Sequence, residues 1–289
     1  MKICSPVRRA LCSLGGRCAL PVYLLLLLGF AAPLIAVLGF SFATPRSFDL
    51  FTSFSWDNYL EMLQGSVWKS YAWSLCLAAL ATASLAVICY PVAVGMVRVF
   101  GPRLSSLISV LFVFPLFVSE NVRLYGWVLF FMKHGVLDGL AKLMGGQGPE
   151  VLFTGQITLF GLIYTFLPYM LFPLVLGIAL LPQDLLTAAR DLGASRWQTW
   201  REVELPLAMP GMLIGMLLTF VLATGSLSEA KILGGQSIIV ITHDIDTAFT
   251  YSQNWPFGSA LAVVLTLVIG VLTLLAFTRL DLDKVLGRK

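Results

Sequence analysis

Six uncharged or nearly uncharged runs, each long enough to cross a lipid bilayer, constrain this chain more than any other feature. They are Cys18–Pro45; Ser70–Val97, bracketed by Lys69 and Arg98; Leu104–Met132, interrupted by Glu120 and Arg123; Val151 up to a polar segment near Leu181; Leu205–Ser228; and about Phe257–Thr278, ending at Arg279. A hydrocarbon core about 30 Å thick takes some 20 helical residues, because in lipid every backbone N–H and C=O must be paired within the segment. The chain therefore reads as an all-α, polytopic membrane protein with six transmembrane helices. Only 12% of its residues are charged, with a mean hydropathy of +0.89, whereas a soluble domain carries roughly 25% charged residues. The first run exceeds the ~7–15-residue core of a signal peptide and is expected to stay as a signal anchor. Residues 1–17 form a basic tail and 18–289 one membrane domain.

Basic residues orient the bundle. With the N-terminus inside, 13 of the 19 Lys and Arg fall on the inner side. They are Lys2, Arg8, Arg9 and Arg17 in the tail, Arg98 and Arg103, Arg190, Arg196 and Arg201, and Arg279, Lys284, Arg288 and Lys289. Both termini are then cytoplasmic, and so is the segment between the fourth and fifth spans.

That segment, LPQDLLTAARDLGASRWQTWREVELPLAMPG over Leu181–Gly211, is polar and dense in turn signals. A first helix is expected from about Gln183 to Leu192, with Leu185, Ala188, Ala189 and Leu192 on one face. Gly193 supplies a break, since it takes backbone conformations other residues avoid. Ser195 can cap a second helix bearing Trp197, Trp200 and Val203, which Pro206 and Pro210 are expected to stop. The small alanines leave room for another protein to approach.

The pattern A-A, three residues, G, then L-P and P-G resembles the EAA loop of ABC-importer permeases. Ala188, Ala189, Gly193, Leu205, Pro206, Pro210 and Gly211 occupy its positions, with Thr187 where the family usually has glutamate. VRLYGW at Val122–Trp127, LLTAARDLGAS at Leu185–Ser195, ILGG at Ile232–Gly235 and NWPFGSA at Asn254–Ala260 are similar to the spermidine/putrescine-type branch. The resemblance implies a type I importer permease (MetI-like) fold, with a docking loop at 182–206 seated in a cytoplasmic ABC ATPase dimer. The coupling residues it implies are Thr187, Ala188, Ala189, Asp191, Leu192, Gly193, Ala194, Pro206, Pro210 and Gly211. It also implies a second, homologous permease, a periplasmic solute-binding protein, and ATP and Mg bound by the ATPase, with no cofactor on this chain. Ser228, Glu229, Ala230 and Glu120 depart from the branch pattern. The solute stays open between a polyamine and others carried by such permeases: opines, amino-acid derivatives, aminophosphonates or metal ions.

Ionisable groups within spans cost at least about 2.5–3.5 kcal/mol each at mid-bilayer. Glu120 and Arg123, three residues apart, can pair on one helix face, and Glu229 stands just before Lys231. The glutamates either offer charge to a cationic solute or are neutralised by these neighbours. Tyr125 and Trp127 either line the solute path or sit as interface aromatics. Trp56, Tyr59, Leu60 and Leu63 share one face of a helix suited to the membrane interface, as an anchor or as a platform for the binding protein. Lys133–Glu150 reads as a short helix and a turn.

Other functions find little support. GGQS at Gly234–Ser237 and ITHDIDTAF at Ile241–Phe249 look like fragments of an ABC ATPase, but the GxxxxGK[ST] phosphate loop is missing. His134 and His243 have no metal-ligand spacing, and the five cysteines show no zinc or CxxC spacing and read as free thiols. No nucleophile–base constellation points to an enzyme, and nothing points to nucleic acid. An ion-gradient-driven transporter would want midplane carboxylates, for which Glu120 is the lone candidate.

Overall fold

The computed structural model describes residues 21–23, 25–47, 54–146 and 148–279, with side chains as far as residue 276. The basic tail, Cys4, Cys12, Cys18, Lys284, Arg288 and Lys289 lie outside them. Every regular element described is helical. Five helices are long and apolar enough to cross a membrane: α1 (Pro21–Ser41), α3 (Val67–Val99), α7 (Gly155–Ala179), α9 (Arg196–Thr224) and α12, whose apolar window is Trp255–Ala276. A bent pair, α4 (Pro102–Phe117) with α5 (Glu120–Phe131) and α6 (Val136–Leu143), makes the sixth.

The bend corrects the expectation of one continuous third span over Leu104–Met132. The two limbs meet at 102°. Pro115 has no N–H to donate, so the helix tightens to a 3-10 turn over Phe114–Phe117, and Val118 is extended (φ −100°, ψ 133°). Helix resumes at Glu120, whose carboxylate sits in the first turn, where the helix dipole favours negative charge. The charges that interrupt the apolar run thus mark a helix start.

The chain divides into two compact units, Met1–Gly65 with Ile245–Leu267 and Ser66–Asp244 with Val268–Lys289. In the first, α1 ends beneath α2 (Asp57–Gln64). The buried Asn58 amide donates to the carbonyls of Ser41 (3.1 Å) and Ala43 (2.7 Å), taking up acceptors that the helix end leaves open. Tyr59 donates to the Ser41 hydroxyl at 2.9 Å. Leu60 and Leu63 on α2 and Trp56 just before it are exposed, Tyr59 is half-buried, and Met62 and Asn58 are buried, so three of the four residues of the expected interface face are open.

In the second unit α3, α7 and α9 form the core around Leu85, Met170, Leu171, Leu174 and Ala208. The closest approach joins α7 and α9. A Cβ on Gly211 would lie 2.5 Å from the Pro173 carbonyl oxygen, one on Gly177 would lie 2.8 Å from Gly211 Cα, and one on Gly215 would lie 2.9 Å from the Met170 oxygen. Without a hydrophobic drive between helices in lipid, such small-residue contacts let backbones pack closely. Cys76 and Cys89 are free thiols. GGQS forms a turn, with Gly235 at φ +55°, and Ile241–Thr250 is a helix (α11), so both fragments are structural connections. In Lys133–Glu150 the expected short helix is α6, and Asp138 gathers the turn by accepting from Gly148 N, His134 N and Lys142 Nζ.

Candidate functional site

The polar segment folds as α8 (Gln183–Asp191), a sharp turn, and the start of α9. Gly193 has φ +86°, a left-handed conformation that costs other residues about 1–2 kcal/mol. Its N–H bonds to Arg190 O, and Ala194 N–H bonds to Ala189 O, closing α8. Ser195 then caps the next helix with a reciprocal box: its hydroxyl accepts from Gln198 N–H, and the Gln198 side chain accepts from Ser195 N–H.

Which face is buried matters most. Leu186 is the buried residue of α8, whereas Leu185 (47% exposed) and Leu192 (89%) are open, as are Ala188 and, beyond the turn, Trp197 (64%). Ala189 and Ala194 are half-buried, and Thr187 and Asp191 are exposed. Thr187 spends its hydroxyl on Gln183 O. Among the described residues nothing covers this apolar stripe beside its charged neighbours, the form a protein contact takes.

One expectation for this segment is corrected. Pro206 and Pro210 do not stop the second helix: the chain is helical without interruption from Arg196 to Thr224. A π-helical stretch at Thr199–Glu204 widens the winding just before Pro206, which accommodates the missing proline donor. Gly211 is buried in the α7–α9 crossing, so its requirement for a bare Cα comes from packing. The exposed part of the segment consists of α8 and the turn after it.

The five path candidates separate. Arg123 does not pair with Glu120; its guanidinium lies 5.6 Å from the Tyr164 ring centre, a cation–π arrangement. Trp127 is part of an aromatic cluster with Phe130, Phe131, Phe160 and Tyr164 (centroids 4.8–5.4 Å), a packing position. Tyr125 is exposed and lines an open cavity of about 530 Å³ with Asn121, Ser228 and Lys231.

Glu229 lies on α10 (Ser228–Ile232), outside the spanning helices, and is fully buried. Lys231, two residues on, falls on the opposite face and is exposed, so the expected neighbour pair does not form on a helix. Instead the Glu229 carboxylate accepts from the Ser226 hydroxyl, and its other oxygen has no hydrogen-bond partner among the described residues. Burial pushes its pKa above the usual carboxylate range; the Ser226 hydrogen bond opposes this, and the negative charge of Glu120 adds to it. Glu120 and Glu229 are thus brought within electrostatic reach.

Sequence reading missed one contact altogether. Arg98 Nη1 lies 2.6 Å from Glu204 Oε2, with both side chains largely buried (15% and 9% exposed). Nothing in a linear pattern links residues so far apart.

Comparison with known proteins agrees with this arrangement. Residues 83–283 match the family described as binding-protein-dependent transport system inner membrane component. The spermidine/putrescine transport system permease protein PotB of Haemophilus influenzae is 35% identical over 89% of this chain and 90% of its own. PotB of Escherichia coli K12 is 32% identical over 84% of this chain and 89% of its own. Among solved structures, a chain of a bacterial ABC transporter involved in the import of the acidic polysaccharide alginate superposes with a TM-score of 0.76. It is 17% identical, and the match covers 91% of this chain and 93% of that one, which shows a shared fold. The family is one of transport subunits rather than enzymes. Several apolar spans, an exposed loop helix and the match over most of the chain lead to one conclusion: this protein belongs to the binding-protein-dependent transport system inner membrane components, as a multi-pass inner-membrane permease subunit.

Proposed function

We propose that the chain is the permease half of an ATP-driven importer for a small polycation of the spermidine/putrescine class. The observation that carries this reading is the 32–35% identity, sustained over 84–89% of the chain, to permeases named for those solutes. A cytoplasmic ABC ATPase dimer would cover the exposed face of Leu185, Ala188, Leu192 and Trp197 and hold the ATP and Mg, none being bound by this chain. A second, similar permease completes the channel, and a periplasmic binding protein delivers the solute. The distribution of basic residues supports cytoplasmic termini and a cytoplasmic docking loop.

The geometry suggests how ATP binding acts on the bundle. Because α9 is helical from Arg196 through Thr224, a push on the docking loop moves the fifth span as one rod, with no loop to absorb it. The tight α7–α9 crossing carries the fourth span along. On the solute side, Glu120 and the open face of Tyr125 offer a carboxylate and an aromatic ring, the two groups that attract ammonium. Glu229 is covered in this conformation, so it meets solute only after α10 shifts.

The test is reconstitution. The chain would be purified in mild detergent with whatever ATPase, sister permease and binding protein accompany it, then placed in ATP-loaded vesicles. ATP-dependent uptake of labelled spermidine or putrescine is the expected result. Uptake of an aminophosphonate or opine without polyamine would overturn the solute class. Active uptake driven by an ion gradient with no ATPase bound would overturn the whole reading.

A further inference from the structure

The Arg98–Glu204 pair joins two segments with an unusual property in common. Arg98 lies in the π-helical end of α3, Gly95–Val99, and Glu204 in the π-helical stretch of α9, Thr199–Glu204. Each π segment departs from the regular helix just where the two helices meet through charge, and such bulges concentrate at functional positions. Tyr90, about two turns before Arg98 on α3, donates to Glu204 Oε1 at 3.4 Å and packs edge-on against Trp200 at 6.1 Å. The Trp200 ring in turn lies 4.6 Å from that of Trp197, tilted by 31°, and Trp197 is exposed. A continuous chain of side chains therefore leads from the surface to α3: Trp197, Trp200, Tyr90, Glu204, Arg98. α8 also packs on the same π segment of α9.

The pair is poorly explained as simple stabilisation. Desolvating two charges costs several kcal/mol per ion, and a buried ion pair is often no better than apolar packing of the same volume. Among the described residues, Nε and Nη2 of Arg98 have no hydrogen-bond partner, so Glu204 holds the guanidinium through Nη1 rather than as a two-pronged clasp. What it does supply is a charged, directional link between α3 and α9, beside the Tyr90–Trp200 contact and the apolar packing of the two helices.

We propose that Arg98 and Glu204 are positioning residues that hand the movement of the docking loop to α3, so that the second span moves with the fifth when the ATPase closes. Breaking the link leaves docking and ATP hydrolysis in place and uncouples them from transport. This inference rests on the ATP-driven reading above.

The experiment uses the assembled importer in vesicles, with uptake and ATP hydrolysis measured on the same preparation. Wild type, Glu204→Gln, Arg98→Gln and the charge-swapped R98E/E204R are compared. A fifth protein, R98C/E204C in a background lacking the five native cysteines, is assayed before and after bridging by a short bifunctional thiol reagent. The single variants are expected to retain ATPase on purification within twofold, and to lose solute transported per ATP by tenfold or more. The swap regains most of that ratio. The cysteine pair is uncoupled when free and regains coupling when bridged, an effect a folding role would not produce, since the bridge forms after folding. Normal solute per ATP in the single variants overturns the proposal. So does loss of ATPase retention in step with uptake, or a bridged pair that stays uncoupled. If wild type itself shows no ATP-dependent uptake, the importer reading fails first; if wild type works and the variants remain coupled, only this inference fails.

Discussion

Replacing Gly211 with alanine separates two accounts of the same residue. Its place in a docking motif predicts weaker ATPase binding; its place in the structure predicts weaker helix packing. An alanine Cβ would sit 2.5 Å from the Pro173 carbonyl oxygen and 2.7 Å from Gly177 Cα, both backbone atoms on the facing helix. Ordinary contact begins near 3.4 Å, so α7 and α9 must part by about 0.9 Å at their closest point. Neither neighbour can rotate away as a side-chain tip would. Overpacking of this kind costs about 1–3 kcal/mol, or roughly a 5- to 150-fold change in the folding equilibrium. The assay is denaturant unfolding of the purified chain in detergent, followed by helix content. Gly126→Ala is the control: it lies in α5, its Cβ meets nothing within 4 Å, and helix propensity favours alanine there by roughly 0.5–1 kcal/mol. Gly211→Ala should unfold at markedly lower denaturant than wild type, and Gly126→Ala at the same or higher. Equal stability of the two variants, with a selective loss of ATPase retention in Gly211→Ala, would refute the packing argument.

Two further perturbations address other parts of the molecule. Leu192→Glu changes a side chain that is 89% exposed, so detergent stability should stay within about 0.5 kcal/mol of wild type while ATPase co-purification falls at least tenfold; unaltered retention would remove the docking face. Glu229 has a pKa raised by burial, so the fold favours its protonated form. The stability this supplies is complete below the ordinary carboxylate value of about 4.3 and is lost as pH rises through the raised folded value. Glu229→Gln, neutral throughout, should therefore gain on wild type as pH increases across thermal melts from pH 4.5 to 9, and parallel profiles would sink the assignment.

Much of the architecture was legible because lipid leaves few choices. An uncharged run of 20 or more residues must be helical, and a helix break must be marked by residues that tolerate it. Gly193 and Ser195 announced the turn and cap that the structure contains. The crossing at Gly211 was also readable, since GMLIG at 211–215 places two glycines four apart, the spacing of close helix pairs in membranes.

The remainder depended on three-dimensional placement. Pairing Glu120 with Arg123, and Glu229 with Lys231, treated neighbours in sequence as partners, yet Arg123 turns to Tyr164 and Glu229 turns inward to Ser226. Pro206 reads as a helix stop, but an i→i+5 stretch absorbed its missing donor and left one rod from loop to bundle. The sequence by itself determined the helical class, the spans and the turn at Gly193, because hydrophobic length, capping and glycine conformations are local or periodic properties. Only the tertiary structure decided which face of α8 stays open, that the third span bends, and that Arg98 meets Glu204. Those outcomes follow from packing between helices distant in sequence, where the energy lies in which atoms touch.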